Sequence, residues 1–176
     1  MPPLIELIPI GTELMLGRIP DTNTQYLAAQ VCQQGGRIRR VSLVRDSPQD
    51  IIDVVQEAVA GGVTHIITTG GLGPTPDDMT VATLAQMLRC QTHIDKGLLG
   101  HFQEKLRLKG IEEVSDHMRK VATIPDIGTA APNILGWGHC ITIPYQSTTL
   151  FVLPGPPREV RELYPACIAP ILAAAD

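Results

Sequence analysis

Aromatic side chains are scarce in this chain. Two phenylalanines, three tyrosines and one tryptophan make up 3% of its residues. Single-stranded nucleic acid is held by stacking bases on aromatic platforms, so the composition argues against that class. A basic excess is missing as well. Lys and Arg number 14 against 18 Asp and Glu, a formal charge of −4, and nothing in that balance offsets a polynucleotide backbone. The four cysteines, Cys32, Cys90, Cys140 and Cys167, form no CxxC pair, which argues against a zinc site or a dithiol redox motif. Three of them sit in apolar patterns, as expected of free buried thiols. The five histidines show no ligand spacing, and neither a GxSxG elbow nor a nucleophile–base pair occurs, so covalent catalysis lacks support. No apolar run is long enough to span a bilayer, and no signal-peptide pattern is seen; the expectation is a cytoplasmic protein.

What is present reads as one globular domain over residues 1–176, with 44% apolar and 18% charged residues. Its centre of organisation is the run from Gly70 to Thr80, Gly-Gly-Leu-Gly-Pro-Thr-Pro-Asp-Asp-Met-Thr. An apolar, β-branched stretch, His65 to Thr69, precedes it and predicts a buried strand. Val81, Leu84, Ala85 and Leu88 follow at helical spacing. A glycine-rich loop between a strand and a helix suits an anion, because glycines allow close backbone approach and the first helical N–H groups are free. Asp77 and Asp78 would repel a bare phosphate. They become useful if a divalent cation, Mg²⁺ or a transition metal, lies between them and the phosphate oxygens. Either aspartate can instead cap the helix.

Leu4 to Ile10 predicts a first strand, with Pro9 confined to a strand end or a sheet edge. The loop after it gathers Thr12, Glu13, Arg18, Asp21 and Asn23 ahead of a helix with Leu27, Ala28, Val31 and Cys32 on its buried stripe. That loop reads as a connection with a good N-cap or as a second ligand-binding loop. Arg37 to Val44 predicts another strand, whose arginines suit a solvent-facing edge better than a phosphate site. Ser47-Pro48 opens a helix that Gly61-Gly62 closes. Strand, helix, strand, helix, strand with short connections predicts a parallel sheet. Ligands of such sheets lie at the carboxyl ends of the strands, where Glu13, Asp21 and Asn23 would meet Asp77 and Asp78. Further helices are predicted over Asp95–Leu108 and Ser115–Lys120, then paired strands at His139–Ile143 and Thr149–Leu153. A last helix, opened by Pro154-Gly155-Pro156-Pro157-Arg158-Glu159, must kink or split at Pro165 and Pro170.

Gly70 to Thr80 closely resembles the GGLGPTxDDxT signature of the amino-terminal domain of competence/damage-inducible protein A, CinA. More distantly it resembles the GGTGxxxRD loop of molybdopterin-binding domains, with Asp78 at the acidic position and Asp77 where arginine is usual. Residues 11–28 resemble the CinA pattern GxELLxGxxxxTNxxxLA, and residues 153–159 its LPGxPxE motif. Lys120, Ala122 and Pro125 match KQAxxP, with Val121 in place of glutamine. Asn133 and Gly136 match NxxG, but Gly136-Trp137-Gly138-His139-Cys140 stands where GTAPG is expected. Trp137 can cover an aromatic ligand face or cap the core.

The resemblance implies a three-layer α/β/α domain with a mostly parallel sheet, of molybdopterin-binding type. It also implies a small nucleotide or pterin ligand, a homo-oligomer (dimer or trimer), and neither nucleic acid nor membrane as partner. CinA-type proteins often carry an additional deamidase domain; residues 1–176 are read as the amino-terminal domain alone. The activity implied is metal-dependent hydrolysis of a nucleotide diphosphate such as ADP-ribose. Asp77 and Asp78 are the expected metal ligands, and Asp78, Asp77 and Glu13 the expected catalytic residues. Gly70, Gly71, Leu72, Gly73, Thr75, Thr12, Asn23, Lys120, Gly155 and Arg158 are the expected ligand contacts. The alternatives are a molybdopterin-binding protein of cofactor biosynthesis and a non-catalytic assembly domain.

Overall fold

The structure, a computed structural model, describes residues 2–174. Along the chain come β1 (Leu4–Pro9), α1 (Thr12–Met15), α2 (Thr22–Gln33), β2 (Arg37–Val41), α3 (Pro48–Ala60), β3 (His65–Thr69) and α4 (Thr80–Leu88). There follow β4 (Thr92–Ile94), α5 (Lys96–Arg107), α6 (Asp116–Val121), β5 (Thr123–Pro125), β6 (Thr129–Pro132), β7 (His139–Tyr145), β8 (Thr148–Leu153), α7 (Pro157–Leu163) and α8 (Ala169–Ala173).

Six strands form one sheet in the order β2-β1-β3-β8-β7-β6. β2, β1, β3 and β8 pair in parallel, and β7 runs antiparallel to both its neighbours. β4 and β5 make a separate antiparallel ribbon. Successive side chains on a strand point to opposite faces, and here both faces are covered. Ile8, Ile66, Leu150 and Val152 meet Ile51, Val55, Leu84, Leu98 and Phe102 from α3, α4 and α5. Ile5, Leu7, Ile67, Phe151 and Leu153 meet Leu27, Val31, Val160, Leu163 and Tyr164 from the opposite layer. Each such fully buried side chain contributes about 1.5–3 kcal/mol. This is the three-layer α/β/α arrangement, and double coverage is why β1, β3 and β8 read as nearly unbroken apolar runs.

Local chemistry sets the ends of the elements. Asp21, Ser47, Asp95 and Ser115 each accept a hydrogen bond from a first-turn N–H of α2, α3, α5 and α6. Pro9 ends β1, where the lost donor does least harm. Pro165 and Pro170 break the last helix into α7, a π-helical turn over Tyr164–Ile168, and α8. A π-turn is one of the few ways a helix absorbs such an interruption.

Some expectations are corrected. β2 lies at the sheet edge as expected, but its arginines do not simply face solvent. Arg39 and Arg40 donate to the carboxylate of fully buried Glu6 in β1, at 3.0 and 2.7 Å, and Ser42 adds a third bond at 2.8 Å. Of the cysteines only Cys140 is buried, and Cys32 lies exposed on α2. β6 carries no alternating pattern; its pairing with β7 alone defines it. No described helix is long and apolar enough to cross a membrane.

Candidate functional site

β1, β3 and β8 are parallel neighbours, so their carboxyl ends lie side by side. The loops that leave them, residues 10–21, 70–79 and 154–156, therefore meet at one sheet edge. They are tied directly: Ile10 N donates to Thr69 O at 2.8 Å, and Gly70 N to Leu153 O at 3.0 Å. The crossing is tight enough to demand glycine. A Cβ on Gly70 would stand 2.2 Å from Ile10 O with φ at +99°, and one on Gly71 would stand 2.0 Å from Thr80 Oγ1 with φ at +71°. Because α2 covers one face of the sheet and α4 the other, a crevice opens between β1 and β3, where such sheets bind ligands. It is a cleft of about 950 Å³, ample for a nucleotide-sized molecule.

The cleft brings together Thr12, Glu13, Asn23, Gly70, Gly71, Leu72, Gly73, Thr75, Asp77, Asp78 and Gly155. Each was legible in the sequence, but several play parts the sequence did not show. Asp78 does not cap α4; Met79 holds the cap position, with no side-chain bond. Instead Asp78 Oδ2 accepts from Thr75 N at 2.9 Å and Thr75 Oγ1 at 2.6 Å, closing a turn across Pro76 and Asp77. Thr80 completes the loop from below, its hydroxyl donating to Gly70 O at 3.1 Å and its N–H to Gly71 O at 3.3 Å. No described residue accepts from the amides of Gly71, Leu72 or Gly73. Asn23 Nδ2 donates to Gly155 O at 2.8 Å, so it ties the first loop to the third. Thr12 and Asp46 bond reciprocally, at 2.9 and 3.2 Å.

The sequence matches a family described as a probable molybdopterin binding domain over residues 6–174. The chain belongs to the molybdopterin-binding domain family. A putative competence-damage inducible protein of Clostridium kluyveri is 34% identical over 167 residues, covering 95% of this chain and 40% of the relative. The chain thus spans two-fifths of the length of that relative. Among solved structures, the protein CinA of unknown function from Thermoplasma acidophilum superposes with a TM-score of 0.85 at 27% identity, covering 94% of this chain and 95% of the other. A molybdopterin biosynthesis protein from Mycobacterium abscessus shares the fold, with a TM-score of 0.65 at 19% identity over 98% and 93% of the two chains.

In this member of the family the cleft is acidic. Glu13, Asp21, Asp46, Asp77, Asp78 and Glu159 line it, against Arg18 as the one cationic side chain among its described lining residues. Four of the six carboxylates already accept from backbone N–H groups: Asp21 from Thr24, Asp46 from Thr12, Asp78 from Thr75, and Glu159 from Trp137 and Gly138. Glu13 and Asp77 have no such partner among the described residues. An anionic ligand entering here needs a counter-charge. No three His, Cys, Asp or Glu side chains converge among the described residues, so the donors do not suit a closed tetrahedral zinc site. They do fit a Mg²⁺-type ion, which takes one or two carboxylates and fills its shell from substrate phosphates and water. Asp77 and the unbonded Oδ1 of Asp78 are the atoms that can serve.

Two residues of the sequence reading lie elsewhere. Lys120 lines a smaller cavity behind the glycine loop and donates its ammonium to Thr75 O, so it braces the loop. Arg158 does not line the cleft; it is 81% exposed and pairs with Glu162 one turn along α7. Trp137 caps the core from the rim of the cleft. It packs on Phe102 at 5.8 Å, with the ammonium groups of Lys105 and Lys109 over its ring, and it also borders the cleft. Burial lowers the Lys105 pKa, which nearby Glu159 partly restores. Asp46 and the bonding role of Glu159 were missed. No motif covers Asp46, and LPGxPxE marks Glu159 without showing what it touches.

Proposed function

We propose that this cleft binds a nucleotide diphosphate such as ADP-ribose and hydrolyses its phosphoanhydride with a divalent cation. The observation that carries the reading is that Gly71, Leu72 and Gly73 line the cleft beside Asp77 and Asp78, with no acceptor for their amides among the described residues. Those amides donate to phosphate oxygens where charge grows in the transition state, and a removed donor of this kind costs about 3 kcal/mol of barrier. Asp77 and Asp78 hold the cation, which when bound neutralises phosphate oxygens and acidifies water. Glu13, without a hydrogen-bond partner among the described residues, accepts the proton of the attacking water. Water adds across the P–O–P bond and leaves two phosphomonoesters. Asn23 and Lys120 keep the loops in register.

Asp78→Asn tests this directly. The amide oxygen still accepts from Thr75, so the loop survives while the negative charge is lost. Turnover of ADP-ribose with Mg²⁺ should fall by about 10²-fold or more, as expected when an electrostatic group of a preorganised site is lost, with the melting temperature little changed. Undiminished turnover removes Asp78 from the mechanism.

Family membership favours a second reading, in which the same cleft holds a molybdopterin nucleotide. Calorimetric titration with ADP-ribose and with that nucleotide, each with and without Mg²⁺, separates the two. Assembly into a dimer or trimer belongs to either reading, and sedimentation checks it.

A further inference from the structure

Two short segments, Gly71 to Gly73 and Trp137–Gly138, line the same cleft, and their backbone amides differ in one respect. Those of Gly71, Leu72 and Gly73 have no acceptor among the described residues. Those of Trp137 and Gly138 are already filled, by Glu159 Oε1 at 3.0 and 3.1 Å. Two glycines of that segment approach the carboxylate closely. A Cβ on Gly136 would stand 2.4 Å from Glu159 Oε1, and one on Gly138 2.2 Å from Oε2. The segment is also fixed from behind. Lys105 of α5 donates to the carbonyls of Asn133 and Gly136, and Asn133 Nδ2 donates to Glu162 Oε2 at 2.7 Å. Consecutive amides held rigidly around one oxygen make an anion-accepting site, and here the anion is the protein's own.

We propose that Glu159 sets the direction in which the ligand lies. Its carboxylate occupies the amides of Trp137 and Gly138, bars phosphate from that end of the cleft, and leaves the open amides of Gly71 to Gly73 as the place for the ligand's phosphates. The Trp137 end then takes a neutral part of the ligand. This rests on reading the cleft as a phosphate-ester site. Glu159 is a positioning residue: it acts through the Trp137 segment and through charge, and it touches no reacting atom.

Trp137 is the single tryptophan of the chain, so its fluorescence reports on this end of the cleft alone. Titration with inorganic phosphate at constant ionic strength should leave the emission of the wild type and of Glu159→Gln unchanged, because the side chain still fills the site. Glu159→Ala empties it, and phosphate should then give a saturable change that acetate competes away. Silence in Glu159→Ala, or the same saturable response in the wild type, overturns the proposal. Should Glu159→Ala not fold, Glu159→Gln decides by calorimetry with inorganic diphosphate and Mg²⁺. Loss of one like charge at the cleft should tighten binding by roughly three- to tenfold, and binding no tighter than wild type overturns the proposal. If the wild type leaves ADP-ribose intact while phosphate still reaches Trp137 in Glu159→Ala alone, the hydrolase reading fails and this inference stands.

Discussion

His139 opens β7 with 1% of its surface exposed, and among the described residues neither ring nitrogen has a hydrogen-bond partner. Burial drags its pKa down to about 4, against a weaker upward pull from Asp95. A free imidazole titrates near 6.5. Between those two values the unfolded chain takes up a proton that the folded chain refuses. Stability from this group is therefore complete above pH 6.5 and is lost as pH falls toward 4. Two and a half pH units, at 1.36 kcal/mol each, put the loss at about 3 kcal/mol, a large part of the ~5–15 kcal/mol that holds an ordinary domain. His139→Leu keeps the side-chain volume close and removes the titration. Urea unfolding of both proteins at several pH values from neutral to about 4 isolates the effect as the difference between the two curves, since all other groups are shared. That difference should shift by about 3 kcal/mol in favour of the variant as pH falls. The variant should also hold its own at neutral pH, because two orphaned nitrogens are gone. Curves that run parallel across this range would show that His139 finds a partner or solvent in the folded protein, and the reasoning would be wrong.

Three further outcomes are expected. Gly71→Ala places a Cβ against Thr80 Oγ1 at a left-handed φ, so it should cost about 2–4 kcal/mol by thermal unfolding and abolish ligand binding by calorimetry. Glu6→Ala strands Arg39 and Arg40 against β1. Their side chains are 35% and 39% exposed and can turn to water, so denaturant titration should find the variant less stable than wild type, chiefly through the three lost bonds to the buried carboxylate. Arg158→Ala removes an exposed intrahelical pair outside the cleft, and should leave nucleotide affinity within about twofold of wild type.

The glycine loop shows how far residue types alone carry an argument. Strand, glycines, acids and helix were placed at residues 65–88, and the structure puts β3, the loop and α4 there. What Asp78 does was not legible. An acid next to a helix start reads as a cap, yet here its oxygen turns back to Thr75. The choice depends on the path of the chain through Pro76 and Asp77, not on spacing. Trp137 is similar. Its neighbours in sequence are glycines, and only the packing of α5 and the turn after it brings Phe102, Lys105 and Lys109 around it.

The order of apolar and polar residues by itself determined the long helices, the parallel core strands and the edge at which a ligand would lie. Those features follow from local backbone preferences and from the need to bury both faces of a sheet, and both are written into period and composition. Tertiary structure alone decided which amides stay open and which are filled, with Gly71 to Gly73 unpaired and Trp137 and Gly138 closed by Glu159. A hydrogen bond between groups some twenty residues apart is fixed by where two elements finally pack, and no local pattern records that distance.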